Sequence, residues 1–302
     1  MDILEYGLKN SNKCVMCLGY FDGIHLGHTA LINKAKEIAL QTNSRLAVLI
    51  FTGGKGDSGD VFTFEERLIK LKALGVDMVV CKELDTKFKN TDATEFLNQL
   101  TTYYNISQVI SGEDFTFGKN ANGNVETLRE FMQNKGILVN TFNLVSICDE
   151  KVSTRQIKAL LKDGDIVSAN KLLGSNYFIR ERVIKGKQLG RNLGFPTANM
   201  QVSPEKMKIK SGVYLTLTII DKKVYPAITN VGAQPTFDGE NYLIESYFHG
   251  YNGDLYDKIL SVYFVERIRD IKRFSSEEEL KIQLKKDLEL LKWLNLDKVE
   301  IV

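Results

Sequence analysis

Two of the chain's three histidines, His25 and His28, stand three residues apart in the string Gly19-Tyr-Phe-Asp-Gly-Ile-His-Leu-Gly-His28. The string follows an apolar run, Cys14–Leu18, and opens a segment with a helical pattern. A helix N-terminus carries free N–H groups and about half a positive charge, so it attracts anions. Glycines 19, 23 and 27 allow close approach of backbone to a ligand. Imidazoles at such a place can donate to phosphate oxygens and stabilise charge that develops at phosphorus during attack. Taken alone, the pair equally fits surface histidines at a helix start. A zinc site shared with Cys14 and Cys17 is excluded by geometry, because a spacing of three along a strand puts the thiols on opposite faces.

A second constellation spans Val183–Asn199, VIKGKQLGRNLGFPTAN. Its glycines interleave with Lys185, Lys187 and Arg191, which suits either a phosphate cradle or a plain turn. Thr197 and Asn199 offer a hydroxyl and an amide oxygen two residues apart, hard ligands for Mg²⁺ in the company of phosphates. Glu245 lies in a strand pattern, where spacing alone reads it as a solvent-facing carboxylate. Neither a Walker A loop nor the protein-kinase glycine loop is present.

These residues sit on two kinds of framework. The first ~175 residues alternate apolar runs (Cys14–Leu18, Leu46–Phe51, Met78–Cys81, Val109–Ser111, Ile137–Val145) with helical segments, which predicts a parallel sheet covered on both faces. Thr63 with Glu66 and Asp92 with Glu95 read as capping boxes, and Gly75 and Gly136 as helix stops. From about Ile179 the period becomes two, as in Val213, Leu215, Leu217 and Ile219, with turn signals at Asp221-Lys222, Asp238-Gly239 and Asn252-Gly253. That predicts antiparallel strands in a barrel or sandwich. A last helix is predicted from a Ser275–Glu278 box and the stripe Leu280, Leu284, Leu288 and Leu291.

The 302 residues suit about two domains. A formal charge of +2 supplies no bulk attraction to nucleic acid or membrane. No apolar run reaches the ~18 residues of a spanning helix, and the opening residues show no signal-peptide pattern. Four cysteines without such a signal fit free thiols in a cytoplasm.

Gly19–His28 resembles the opening of the nucleotidyltransferase module in bacterial bifunctional riboflavin kinase/FAD synthetases. Gly112-Glu-Asp-Phe-Thr-Phe-Gly118 and Val152-Ser-Thr-Arg-Gln-Ile-Lys158 are similar to two later segments of that module. The resemblance implies a Rossmann-like adenylyltransferase domain over residues 1–178, joining FMN to the adenylyl group of ATP. It implies that His25 and His28 contact the ATP phosphates, and that Ser153, Thr154, Arg155 and Lys158 hold the triphosphate. Gly19, Phe21, Asp22, Gly27, Gly112 and Asp114 complete the implied nucleotide site.

Val183–Asn199 closely resembles the riboflavin kinase signature, and Asn230–Phe237, the Glu245 strand with Gly253–Tyr256, and Ile268–Phe274 follow in the family's order. This implies a six-stranded antiparallel barrel with a C-terminal helix over residues 179–302. Thr197 and Asn199 would engage Mg²⁺ and ATP, Lys185, Gly186 and Arg191 would cradle phosphate, and Glu245 would be the general base. The implied partners are ATP, riboflavin, FMN and FAD, with no nucleic acid and no membrane.

The first half departs from the family. Phe51-Thr-Gly-Gly-Lys55 stands where the family carries F-x-P-H-P, and Asn120, Ala121 and Asn122 stand where it tends to be basic. Lys158 replaces an arginine, keeping charge but losing the two-pronged fork. Two other readings follow: a kinase with a weakened adenylyltransferase domain, or a non-catalytic flavin sensor. A tRNA-synthetase fragment is a third, suggested by His-Leu-Gly-His and by Lys206-Met-Lys-Ile-Lys-Ser211.

Overall fold

Strands buried on both faces read as unbroken apolar runs, and the first half is built of them. We describe a computed structural model over residues 1–53, 59–142, 146–147, 150–186, 190, 194–236 and 239–294. The chain divides into two compact units, Met1–Asp57 with Thr63–Thr154, and Ser58–Phe62 with Arg155–Val302.

The first unit is a parallel sheet of β1 (Asp2–Glu5), β2 (Asn10–Leu18), β3 (Arg45–Thr52), β4 (Met78–Glu83), β5 (Tyr104–Gly112) and β6 (Leu138–Phe142). Their spatial order is β1-β4-β3-β2-β5-β6. The chain therefore builds outward from β2 in one direction and from β5 in the other, and a crevice opens at that switch point beyond the strands' carboxyl ends. The edge strand β1 was not foreseen, because it has four residues, two of them acidic. Cys14, Met16 and Leu18 pack on one face with Phe96 and Leu128, while Val15 and Cys17 pack on the other with Leu31 and Ile32. The two thiols thus face opposite ways, and burial pushes that of Cys14 up to about 12.

The covering helices are α1 (Leu26–Gln41), α2 (Phe64–Ala73), α3 (Thr86–Lys89), α4 (Ala93–Tyr103) and α5 (Val125–Gln133). The box on α2 is complete, with the Thr63 N–H donating to Glu66 Oε2 at 2.8 Å and the Glu66 N–H to Thr63 Oγ1 at 3.4 Å. The expected box on α4 is only half formed. Asp92 accepts from the Thr94 N–H and from Asn122 Nδ2, whereas the Glu95 carboxylate takes Gln99 Nε2 one turn on.

After the short ladder β7 (Ser146–Ile147) and β8 (Glu150–Lys151) come α6 (Thr154–Asp163) and α7 (Ile166–Leu173). In the second unit Asn170, on α7, donates from Nδ2 to the Phe264 carbonyl at 2.9 Å. The period-two pattern forms a closed antiparallel barrel, in the order β10-β13-β12-β11-β14-β9. Its strands are β9 (Phe178–Ile184), β10 (Ala198–Gln201), β11 (Gly212–Ile220), β12 (Lys223–Thr236), β13 (Gly239–Phe248) and β14 (Ile259–Arg269). Asp221 and Lys222 turn β11 into β12 with φ of 50° and 66°, the paired left-handed conformation of a tight hairpin. A buried hydroxyl row, Thr216 to Thr229 at 2.6 Å and Thr229 to Ser246 at 2.8 Å, ties three strands side to side.

The last helix, α8 (Glu277–Glu289), starts one residue later than the sequence suggests. Ser276 is the cap, and Glu279 reaches back to the N–H and hydroxyl of Ser275. This register places three glutamates in the first turn, where the helix dipole favours them. Leu288 and the following Leu291 pack on Val213, Leu215 and Ile228 of the barrel wall. An ion pair with a buried carboxylate fastens the same contact: Arg269 Nε donates to Asp287 at 3.0 Å and its Nη2 at 2.6 Å, and Gln283 adds a bond at 2.8 Å.

Removing the buried carboxylate leaves a largely enclosed guanidinium unpaired, at a cost below the ~3–5 kcal/mol of a fully buried pair because water still reaches Arg269. Asp287→Ala should lower barrel stability in denaturant by less than that amount and speed amide exchange along α8. Unchanged exchange would show that the apolar contact alone holds the helix.

Candidate functional sites

The first cavity, of about 790 Å³, lies where β2, β3 and β5 end. The loop leaving β2 is tightly wound: Phe21 and Ile24 hold φ of 53° and 39°, conformations costly for side chains of this size. Gly19 has no Cβ because the Phe21 ring folds back to within 2.9 Å of where one would stand. The loop delivers His25 as the N-cap of α1, its Nδ1 accepting the His28 N–H at 3.4 Å. That bond requires an unprotonated Nδ1, so the neutral ring carries its proton on Nε2. Burial pushes the His25 pKa down to about 4; Asp22 and Asp114 oppose this and Lys70 adds to it. At neutral pH His25 is thus an uncharged donor. The His28 ring stacks on it at 3.8 Å, with 20° between planes.

The cavity brings Gly19, Phe21, His25 and His28 together with Gly112 and Asp114. Ser153 and Thr154, at the start of α6, join them. Asp22 and Gly27 are buried behind this surface. Arg155 and Lys158 do not line it; they lie on α6 in the second unit, where Lys158 Nζ donates to the Gly59 carbonyl at 2.5 Å. The histidine motif did not reveal the aromatic wall, in which Phe115 and Phe117 of the Gly112–Gly118 segment are joined by Phe51, Phe88 and Phe96 from three other places in the chain. Nor did it reveal Arg67, a buried side chain that bonds the Phe51 carbonyl at 2.7 Å and the Tyr20 carbonyl at 3.4 Å. Polar pairing of apolar neighbours leaves no periodic trace in a sequence.

The second cavity, of about 320 Å³, is lined by Glu245 and Thr197, with Leu280, Leu284 and Leu288 of α8. Thr197 also lines a neighbouring cavity of about 460 Å³, with Tyr251 and Tyr256. Glu245 pairs across β10–β13 with Asn199 and across β12–β13 with Asn230, so the three stand abreast. Asn199 is buried and turns its Nδ2 to the Thr197 carbonyl at 3.4 Å, leaving its Oδ1 as a ligand oxygen. Gly186 makes room, since a Cβ there would come within 2.5 Å of the Asn199 amide. Lys185 and Gly186 follow β9 but do not line this cavity, and Lys187 and Arg191 fall outside the described residues. Among the described residues, no group of three or more His, Cys, Asp or Glu could hold a metal ion. The Thr197–Asn199 oxygens instead fit Mg²⁺ that arrives with a nucleotide.

Lys206 removes the synthetase reading. It is buried, with Nζ 4.7 Å from the Tyr177 ring centre and 4.9 Å from that of Phe62, and donates to the Phe178 carbonyl at 2.8 Å. A lysine so enclosed cannot serve as a mobile phosphate-binding loop.

Comparison with known proteins matches residues 8–156 to the FAD synthetase family and residues 173–294 to the riboflavin kinase family. The bifunctional riboflavin kinase/FMN adenylyltransferase of Bacillus subtilis (strain 168) is 32% identical over 286 residues, covering 91% of this chain and 90% of the relative. That of Haemophilus influenzae is 29% identical over 298 residues, covering 95% and 97%. A solved structure titled "Crystal Structure of Macrolide-efflux Protein from Streptococcus pneumoniae" superposes with a TM-score of 0.88 at 28% identity, covering 98% of this chain and 100% of that one. Among the described residues, no helix is long and apolar enough to cross a membrane.

The depressed His25 pKa has a consequence for stability. The unfolded chain takes up this proton near the ordinary 6.5 and the folded chain only near 4, so acid favours unfolding. The neutral ring's contribution is complete above pH 6.5 and is lost as pH falls toward 4, up to about 3 kcal/mol. Urea titrations at pH 7 and pH 4.5 should show a smaller acid loss in His25→Asn, which can still cap α1. Equal losses would mean that the ring is accessible to protons in the fold.

Proposed function

The chain belongs to the bifunctional riboflavin kinase/FMN adenylyltransferase family, and on that premise we propose which residues carry the two reactions. The enzyme phosphorylates riboflavin with ATP to give FMN, and adenylylates FMN with ATP to give FAD and pyrophosphate. We assign adenylyl transfer to the first domain, residues 1–178, and phosphorylation to the second, residues 179–302. The supporting observation is the separation of the polar groups: His25, His28, Ser153 and Thr154 meet in one cavity, Thr197 and Glu245 in another.

In adenylyl transfer an FMN phosphate oxygen attacks the α-phosphorus of ATP, and the bond to pyrophosphate breaks. Neutral His25 donates from Nε2, and the free N–H groups of the α1 N-terminus face the charge that grows on the leaving group. Ser153 and Thr154 offer a second helix start for the triphosphate. Asp114 is an acceptor and repels phosphate, so it suits a ribose hydroxyl or the cation that accompanies the nucleotide. The aromatic wall suits a flat ring system.

In the kinase step Glu245 takes the proton of the ribityl 5′-hydroxyl as that oxygen attacks the γ-phosphorus, and the bond from that phosphorus to the β,γ-bridging oxygen breaks to release ADP. The apolar cavity under α8 takes the flavin, and the cavity beyond Thr197 takes the nucleotide, so Thr197 stands at their seam. Thr197 and Asn199 would hold Mg²⁺, which neutralises charge on the ATP phosphates when bound. Lys185, Gly186 and Arg191 form the proposed phosphate cradle. We place the enzyme in the cytoplasm, where buried thiols such as Cys14 and Cys17 stay reduced.

Glu245→Gln should lower FMN formation about 10²–10⁴-fold and leave FMN-to-FAD conversion intact. His28→Ala should do the reverse, costing about 2.7–4 kcal/mol at the adenylyl transition state. Equal falls in both activities for either variant would refute the assignment to separate sites.

One observation favours a slower adenylyl step. Gly53 holds φ of 66°, a conformation closed to the proline that the family places there, so the loop after β3 takes a different path. Lys55 falls outside the described residues, and the ammonium of Lys158 already serves Gly59. FMN should therefore accumulate ahead of FAD in a time course from riboflavin and excess Mg·ATP. FAD appearing as fast as FMN would show that this altered loop is fully competent.

A further inference from the structure

Asn230 stands directly across from Glu245 on β12, in the same row that Asn199 completes on β10. Opposed residues of an antiparallel pair point to the same side, with Cβ atoms about 4.5–5.5 Å apart. On β13 Ile244 and Ser246 are buried, so Glu245 between them faces out of the barrel, and Asn230 faces out with it. Both line the cavity beneath α8. Asn199 spends its Nδ2 on the Thr197 carbonyl, whereas the Asn230 side chain makes no hydrogen bond with any described residue. The rest of that wall is largely apolar, including Ile271, Leu280 and Leu284. The half-buried amide therefore keeps its donor and acceptor available to a ligand that enters this cavity.

We infer that Asn230 is a substrate-positioning residue of the kinase reaction, holding the ribityl 4′-hydroxyl so that the adjoining 5′-hydroxyl faces Glu245. The inference rests on the kinase reading of this cavity. A carboxamide donates and accepts, as does a hydroxyl, so one side chain satisfies both needs of a secondary alcohol. Two side chains set side by side across a ladder match two hydroxyls set side by side on a chain. An aspartate in place of Asn230 would put a second negative charge beside the base and lose the donor.

The test is a cycle in which protein and substrate are changed together. FMN-type product is measured for the wild-type enzyme and Asn230→Ala, each with riboflavin and with 4′-deoxyriboflavin. Failure of the wild type to phosphorylate riboflavin would overturn the kinase reading itself. Given turnover, the wild type should lose about tenfold in kcat/KM on the deoxy substrate. Asn230→Ala should lose a similar factor on riboflavin, and no more on the deoxy substrate. FMN adenylylation by the same chain should stay at the wild-type rate. If it falls, the variant is misfolded, and the smaller change Asn230→Ser carries the same cycle. Equal wild-type kcat/KM on the two flavins, or losses that multiply in the variant, overturns the inference, because a merely structural asparagine would not sense the 4′-hydroxyl.

Discussion

Side chains alternate across a strand, and this decides where each unit can do chemistry. In the parallel sheet both faces are packed, Met16 and Leu18 on one side and Val15 and Cys17 on the other. Polar groups have no place along such strands, so they gather beyond the carboxyl ends, where the loops after β2 and β5 diverge. The barrel solves the problem differently. One face of each strand fills the interior, with Ile244 and Ser246 inside, and the other is free to carry Glu245. A helix then covers that outer face and turns an exposed carboxylate into part of a cavity.

Each unit satisfies its buried polar groups by a different means, and the difference bears on catalysis. At the α1 N-terminus a ring nitrogen accepts a backbone N–H, which keeps His25 neutral and aims its one proton outward. A charged ring there would lose the Nδ1 lone pair that caps α1 and would have to be desolvated at a cost. Under α8 the polar contact is ionic. The buried Asp287 carboxylate pairs with Arg269, which couples the wall of the second cavity to the end of β14.

Two loops of the first unit carry left-handed backbone. Gly53 takes a left-handed conformation, and so do Asn120 and Ala121 in the loop after β5. Both loops border the first cavity, through Phe51 and Asn120. In the second unit Asn199 and Glu245 stand opposite each other on β10 and β13, and Thr197, just before β10, lines the same cavity as Glu245.

Much of this was legible in the sequence, for local reasons. Unbroken apolar runs specify strands covered twice, period two specifies strands covered once, and Thr63 with Glu66 specifies a helix start; each depends only on near neighbours. The histidine loop and the Gly-Phe-Pro-Thr-Ala-Asn string were legible for the same reason, since their residues are contiguous. Positions one residue apart were not settled: Ser275 and Ser276 compete for one cap, and only the seating of α8 on the barrel chose between them. Nor could spacing distinguish Glu245 from any solvent-facing carboxylate. Its placement beside Asn199 and Asn230 comes from strands separated by long stretches of chain, as does the aromatic wall of the first cavity. Contacts of that kind depend on which register closes the barrel and which strand ends meet. The packing of the whole unit decides those, and no local pattern encodes them.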